Sequence, residues 1–214
     1  MKRRATFVAL ALGITLLVAA CQPVATTGSA PATSTIDPVA FHADTRKLWE
    51  DHVTWTRLYL VSAIAGLPDA GPTADRLLQN QADIGNAIAP FYGQDAAAKL
   101  TELLREHILT AAALVAAAKA GDSTAVLIEK DKWYTNADEI SDFLAAANPA
   151  WPDDTMRMMM RMHLDQTLTE ATARLHGDWP ADIAAYDAVH NHILEMSDFL
   201  ADGIVKQFPS RFGS

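Results

Sequence analysis

The chain has 214 residues, half of them apolar, with 17 basic against 26 acidic side chains and a formal net charge of −9. That balance argues against nucleic acid and anionic lipid surfaces as partners, since both are bound through an excess of Lys and Arg. The single cysteine excludes an internal disulfide, and the length fits one well-buried domain once targeting sequence is set aside.

The first segment reads as an address. Lys2, Arg3 and Arg4 form a positive start, Phe7 to Leu17 an apolar run, and Val18-Ala19-Ala20 a set of small residues before Cys21. This is the pattern of a signal peptide over residues 1–20, and its apolar run is short for a membrane-spanning helix. Val-Ala-Ala-Cys resembles a bacterial lipobox. That resemblance implies that Cys21 is acylated, with palmitate-type chains, and becomes the mature N-terminus. Anchoring by acyl chains takes more than one of them, because a single chain holds only marginally. Gln22 follows the cysteine in place of the aspartate that signals inner-membrane retention. The implied location is the cell envelope, on the outer membrane facing the periplasm where the organism has two membranes. Loss of Lys2, Arg3 and Arg4 takes the formal charge to −12. Residues 21–36 then read as the acylated cysteine and a flexible tether, rich in Pro, Ala, Ser and Thr and without charge. Residues 37–214 are left for a single helical-repeat domain.

Six helices follow, placed by their starts and stops. Asp37 caps the first, with Pro38 in its first turn, and Gly66-Leu67-Pro68 ends it. Pro72 opens the second, which closes at Tyr92-Gly93. The third runs from about Asp95 to Gly121. Asp122 or Ser123 caps the fourth, which stops before Asn148-Pro149. Pro152 with Asp153 and Asp154 starts the fifth, ended by Gly177, and Pro180 starts the sixth, which ends before Pro209. Short connections make neighbouring helices antiparallel. Strand signals are nearly absent, so the fold class is all-α.

A recurring unit organises these helices. His52, His107 and His163 recur at steps of 55 and 56 residues, as do Gly66, Gly121 and Gly177. Asn80-Gln81-Ala82-Asp83-Ile84-Gly85 aligns in the same way with the segments starting at Asn136 and at His192. A fixed period of this kind predicts a six-helix bundle built from three helical hairpins of about 56 residues. Gly85, Ser141 and Ser197 are then expected where helices approach closely.

The helix faces carry one polar residue each. Trp133, Asn136, Ile140, Phe143 and Leu144 share a stripe at helical spacing, as do Val189, His192, Met196, Phe199 and Leu200, and Leu77, Asn80, Ile84 and Ile88. The odd-numbered helices place His52, His107 and His163 on equivalent stripes. An unpartnered buried polar group costs about 1–3 kcal/mol, so six of them must find each other, water or a ligand. Asp83, Glu139 and Glu195 stand one turn after Asn80, Asn136 and His192, close enough to be their neighbours.

Two readings follow from this layer. In one, each histidine pairs with an Asn or acidic side chain across its hairpin and fixes register. In the other, histidines and carboxylates on facing helices hold a divalent transition metal, whose identity the sequence leaves unknown. Inheritance of a packing residue by duplication favours the first. Met156, Met158, Met159, Met160 and Met162 suggest Cu(I), but Met156, Met159 and Met160 align with Leu100, Leu103 and Leu104 and read as core. Met158 and Met162 align with Glu102 and Glu106 and read as solvent-facing. His42, His176 and His190 lie outside the repeat and read as surface residues.

No nucleophile elbow, phosphate-binding loop or other catalytic signature is present. Trp55-Thr56-Arg57, Asn80 to Asn86, Trp133 to Ile140, Asn148-Pro149-Ala150-Trp151-Pro152 and Lys206-Gln207-Phe208-Pro209 carry a resemblance. From about Leu48 to Phe208 the chain resembles a family of uncharacterised bacterial helical proteins, sometimes labelled glycosyltransferases or acetylglutamate kinases. Neither label finds a nucleotide loop or an α/β alternation here. The expected function is therefore a membrane-anchored lipoprotein whose helical domain binds a protein or small-molecule ligand in the envelope. A metal-binding protein is the alternative, and a metal-dependent enzyme comes third.

Overall fold

The computed structural model describes residues 35–213. The signal segment 1–20, Cys21 and nearly all of the tether lie outside the described residues. Among those described there are six long helices and no strand: α1 Pro38–Ala65, α2 Ala70–Tyr92, α3 Gln94–Ala120, α4 Ser123–Ala147, α5 Asp153–His176 and α6 Trp179–Gln207. A short 3-10 turn follows at Pro209–Arg211. None of these helices is long and apolar enough to cross a membrane.

Local chemistry sets the helix ends. Gly66, Gly121 and Gly177 close α1, α3 and α5 at φ 71°, 70° and 72°, a left-handed conformation that only glycine adopts without a Cβ penalty. The three caps share one bonding pattern. Gly66 and Leu67 donate to Ala63 and Ser62, Gly121 and Asp122 to Ala118 and Ala117, and Gly177 and Asp178 to Arg174 and Ala173. At the starts, the carboxylates of Asp37, Asp122 and Asp178 accept from the backbone N–H of Val39, Ala125 and Ala181 at 3.0, 3.0 and 3.2 Å. Asp122, not Ser123, thus caps α4. Helix α2 begins at Ala70, ahead of Pro72, because a proline in the first turn forfeits no helical hydrogen bond.

Each helix packs on the next in the chain, α6 returns to α1, and α1 also touches α3 and α5 across the interior. The result is a closed ring of helices. Helix α2 packs on α3 as closely as α3 on α4, and the α4–α5 contact is the least extensive around the ring. At the α2–α3 crossing a Cβ on Gly85 would run into the Thr101 side chain and lie 2.8 Å from the Ala97 carbonyl oxygen. Only glycine fits there, and the aligned Ser141 and Ser197 are fully buried.

The main core contains Trp49, Leu104 and Met160. One turn further along the same helices stand His52, His107 and His163. Beyond them Leu60, Val115 and Ala171 form a separate small cluster. The ends of the domain meet: Ile36 donates to the Arg211 carbonyl at 2.9 Å and accepts from Gly213 at 2.9 Å. Phe212 packs on Phe41 and Phe91 beside them. Ile36, which composition places in the tether, therefore belongs to the fold, because its backbone groups are paired by the C-terminal segment.

Candidate functional site

His52, His107 and His163 converge in the core, 3%, 3% and 5% exposed. Ring centroids lie 5.7 Å apart for His52 and His163, and 6.3 Å for His107 and His163. Asn80, Asn136 and His192 are buried as well. All six polar residues expected inside are inside.

Their partners differ from the expected ones. Each even-helix side chain reaches a main-chain carbonyl one turn ahead of the histidine. Asn80 Nδ2 donates to Leu48 at 3.0 Å, Asn136 Nδ2 to Leu103 at 3.1 Å, and His192 Nε2 to Met159 at 2.9 Å. His107 also receives a side-chain partner from α4, since Asn136 Oδ1 lies 3.0 Å from its Nδ1, whereas the Gln81 carboxamide of α2 comes near His52 without closing a well-formed bond. With Asn136 Nδ2 already donating, Oδ1 must accept, so His107 Nδ1 carries the proton. Its Nε2 accepts from Trp133 Nε1 at 3.2 Å. His107 is thereby satisfied at both nitrogens in one neutral tautomer.

His52 and His163 are not satisfied. The Nδ1 atom of each is buried without a partner, as is Oε1 of Gln81. No carboxylate comes to their aid. Glu139 and Glu195 are exposed, and Asp83 is half-buried, taking a bond from Gln79 Nε2 at 3.1 Å. One turn after a core residue, these side chains fall on the flank of the apolar stripe, where they keep their hydration.

Burial holds all three core histidines neutral. It pushes His52 down to about 4, opposed by the Gln81 carboxamide. It pushes His107 to about 3, helped by the charge of His52 and opposed by Asn136. His163 is driven well below the usual imidazole range by burial and then by the charges of His52, His107 and His192.

The three rings border a cavity of about 60 Å³, shared with Trp49, Trp151 and Met160. At roughly 10–15 Å³ per water it has room for about four to six waters. Trp151 Nε1 is also buried without a partner, where the indole packs against Gly203 of α6. The rest of the wall is apolar except for Thr45, whose hydroxyl donates to the Phe41 carbonyl. Among the described residues no group of three or more His, Cys, Asp and Glu is arranged to hold a metal ion. His107 has no free lone pair, which leaves His52 and His163 as the nitrogen ligands a metal would have, with the Met160 and Met196 thioethers on the same wall. The remaining methionines fall as expected: Met156 is buried, and Met158 and Met162 are exposed. His42 sits between Asp198 and Asp202, His190 beside Glu50, and His176 is exposed.

A second polar centre escaped the repeat logic. Arg57 of α1 bonds Glu170 Oε1 of α5 at 2.9 Å and Asp182 Oδ2 of α6 at 2.8 Å. Arg174 adds a bond to Asp182 at 3.0 Å. Both carboxylates are 1% exposed. Burial raises Glu170 to about 7 against the pull of Arg57. At Asp182 burial pushes upward, but the bonds from Arg57 and Arg174 outweigh it and the net shift is down. A signal was available. Glu170 follows His163 on the buried face of α5, and Asp182 precedes Ala185, Val189 and His192 on that of α6.

The unequal satisfaction of the histidines predicts unequal mutants. His107→Leu should lower stability by about 1–3 kcal/mol, because it strands Trp133 Nε1 and Asn136 Oδ1. His163→Leu strands nothing and removes an unpartnered polar atom, so it should cost less than about 1 kcal/mol or stabilise. Urea denaturation of both variants at pH 7.5 compares them, and equal losses would contradict this assignment of partners. No family model matches the chain, and no curated protein or solved structure matches it either.

Proposed function

We propose that this chain is an envelope lipoprotein, acylated at Cys21 and tethered to the membrane, whose helical domain is a non-enzymatic binder of a small neutral ligand. The observation that carries the ligand site is a pair of buried imidazoles, His52 and His163, each with an Nδ1 atom that makes no well-formed hydrogen bond, among the residues lining one cavity. A neutral molecule with one or two hydrogen-bonding atoms would satisfy them. A charged one would lose its hydration against an apolar wall. The anchor rests on the charged start, the apolar run and Val18-Ala19-Ala20-Cys21.

The three-hairpin repeat belongs to the same reading. It is supported by the matching glycine caps and by the bonds from Asn80, Asn136 and His192 to carbonyls at the same step. A second reading, a soft metal ion between His52 and His163, is favoured by the free Nδ1 atoms and the neighbouring thioethers of Met160 and Met196. Protein from envelope membranes, labelled with a clickable fatty acid, tests both parts. Wild type should carry label and Cys21→Ala none. Native mass spectrometry with elemental analysis should find a bound mass that His163→Leu loses: a small molecule on the first reading, a metal on the second. Equal label in both proteins would end the lipoprotein reading, and no bound mass on wild type would end the ligand reading.

A further inference from the structure

The histidine layer has a cavity on each side. One turn past it, a second cavity of about 140 Å³ is walled by Thr56, Leu60, Leu77, Val115, Trp133 and Ala171, among others. Its buried polar wall groups are already occupied within the protein, while the hydroxyls of the part-buried Tyr59 and the exposed Thr172 stand toward its rim. Thr56 Oγ1 donates to the His52 carbonyl at 2.8 Å, Thr167 Oγ1 to that of His163 at 2.9 Å, and Trp133 Nε1 to His107. No buried wall atom is left to meet a charge or a strong hydrogen-bonding group.

The space has an origin in the sequence. Leu60, Val115 and Ala171 occupy the same position, eight residues beyond His52, His107 and His163, and they cluster together. The side chain shrinks from leucine to valine to alanine along the series, and α3 adds Ala111, Ala112 and Ala118 to the wall. Where three leucines would close the layer, the domain stays open. Apolar cavities of this size stay dry and take up benzene-sized molecules. There is also a way in: Leu60 and Leu77 are buried, whereas Thr172 on the same wall is exposed.

We infer that this second cavity is a binding site for a neutral apolar molecule about the size of a single aromatic ring, separate from the histidine-lined cavity. The site needs neither the acyl anchor nor a ligand at His52 and His163, so its test is independent of the function proposed above. The full chain is melted thermally with saturating toluene, with benzoate, and with neither, as wild type, Ala171→Leu and Val115→Leu. Toluene should raise the wild-type Tm by about 2–6 °C, in line with the sensitivity of a domain of this length. Benzoate, the same ring with a charge, should leave it unmoved. Ala171→Leu fills the space and should lose most of the toluene shift. Val115→Leu, which adds one methylene, should lose part of it and serves alone where Ala171→Leu does not fold. No toluene shift on wild type, an equal shift with benzoate, or a full shift in the folded filled variants would each overturn the site.

Discussion

Acidification should unfold this domain between about pH 5 and pH 4, earlier than its carboxylates alone would dictate. The cause is the core histidine layer. In the unfolded chain an imidazole takes up its proton near 6.5, whereas the folded domain holds His52 down to about 4 and His107 to about 3. Their contribution is therefore fully present above pH 6.5 and is lost as the pH falls below it. Together these two forfeit about 4 kcal/mol at pH 5 and about 6 kcal/mol at pH 4, against a net stability of about 5–15 kcal/mol. His163 is shifted the same way and deepens the loss. Glu170 works in the opposite sense. Its folded value is raised to about 7, so protonation favours the fold, and it returns about 2–3 kcal/mol over the same range. Far-UV circular dichroism from pH 7.5 to 3.5 follows the transition. His163→Leu removes one of the titrating groups without stranding a partner, so its midpoint should move to lower pH. An unmoved midpoint would assign acid unfolding to other groups.

The parts of this fold that were legible in the sequence are those with local causes. Helix ends at Gly66, Gly121 and Gly177 follow from a glycine's backbone freedom, and starts at Asp37 and Asp122 from a carboxylate beside free N–H groups, while Pro180 marked the start of α6 without revealing Asp178 as its cap. The burial of His52, His107 and His163 was legible for a related reason: each stands on an apolar stripe at the same step. Partner choice was not. Whether Asn80 meets the His52 ring or the Leu48 carbonyl depends on a sub-turn shift between two helices, which periodicity does not resolve. The flanking carboxylates Asp83, Glu139 and Glu195 were near enough in sequence to suggest a metal site. Nearness along a helix does not overcome the cost of dehydrating a carboxylate, and they stay at or near the surface. The cavities were illegible because they depend on what three distant side chains fail to fill. The seam between α1 and α6 was illegible for a topological reason. It exists only because the ring closes, and the positions one step on from Arg57 hold Ala112 and Leu168, with no charge to suggest a partner.

Arg57→Met should be among the most damaging single substitutions in this domain. Arg57 is the one side chain that bonds both Glu170 and Asp182, and its guanidinium also lies 5.4 Å from the centre of the Tyr186 ring. A methionine keeps much of the aliphatic bulk but leaves two buried carboxylates with Arg174 as their remaining cation nearby. Breaking a buried pair from one side costs about 3–5 kcal/mol, because the stranded charge has lost its water as well as its partner. The loss should depend on pH in a specific direction. Without Arg57 Glu170 is pushed further up and Asp182 loses part of what holds it down, so the variant is hurt most where they must ionise, at pH 7.5. It should recover toward wild type near pH 5.5, where Glu170 binds a proton. Removing the stranded charge should have the same effect at neutral pH, so Arg57→Met with Glu170→Gln should regain part of the loss. Urea denaturation of wild type, the single variant and the double variant at both pH values reads all of this. A loss below about 1 kcal/mol, or one that neither acid nor Glu170→Gln relieves, would mean that the cluster is held by packing and not by its charges.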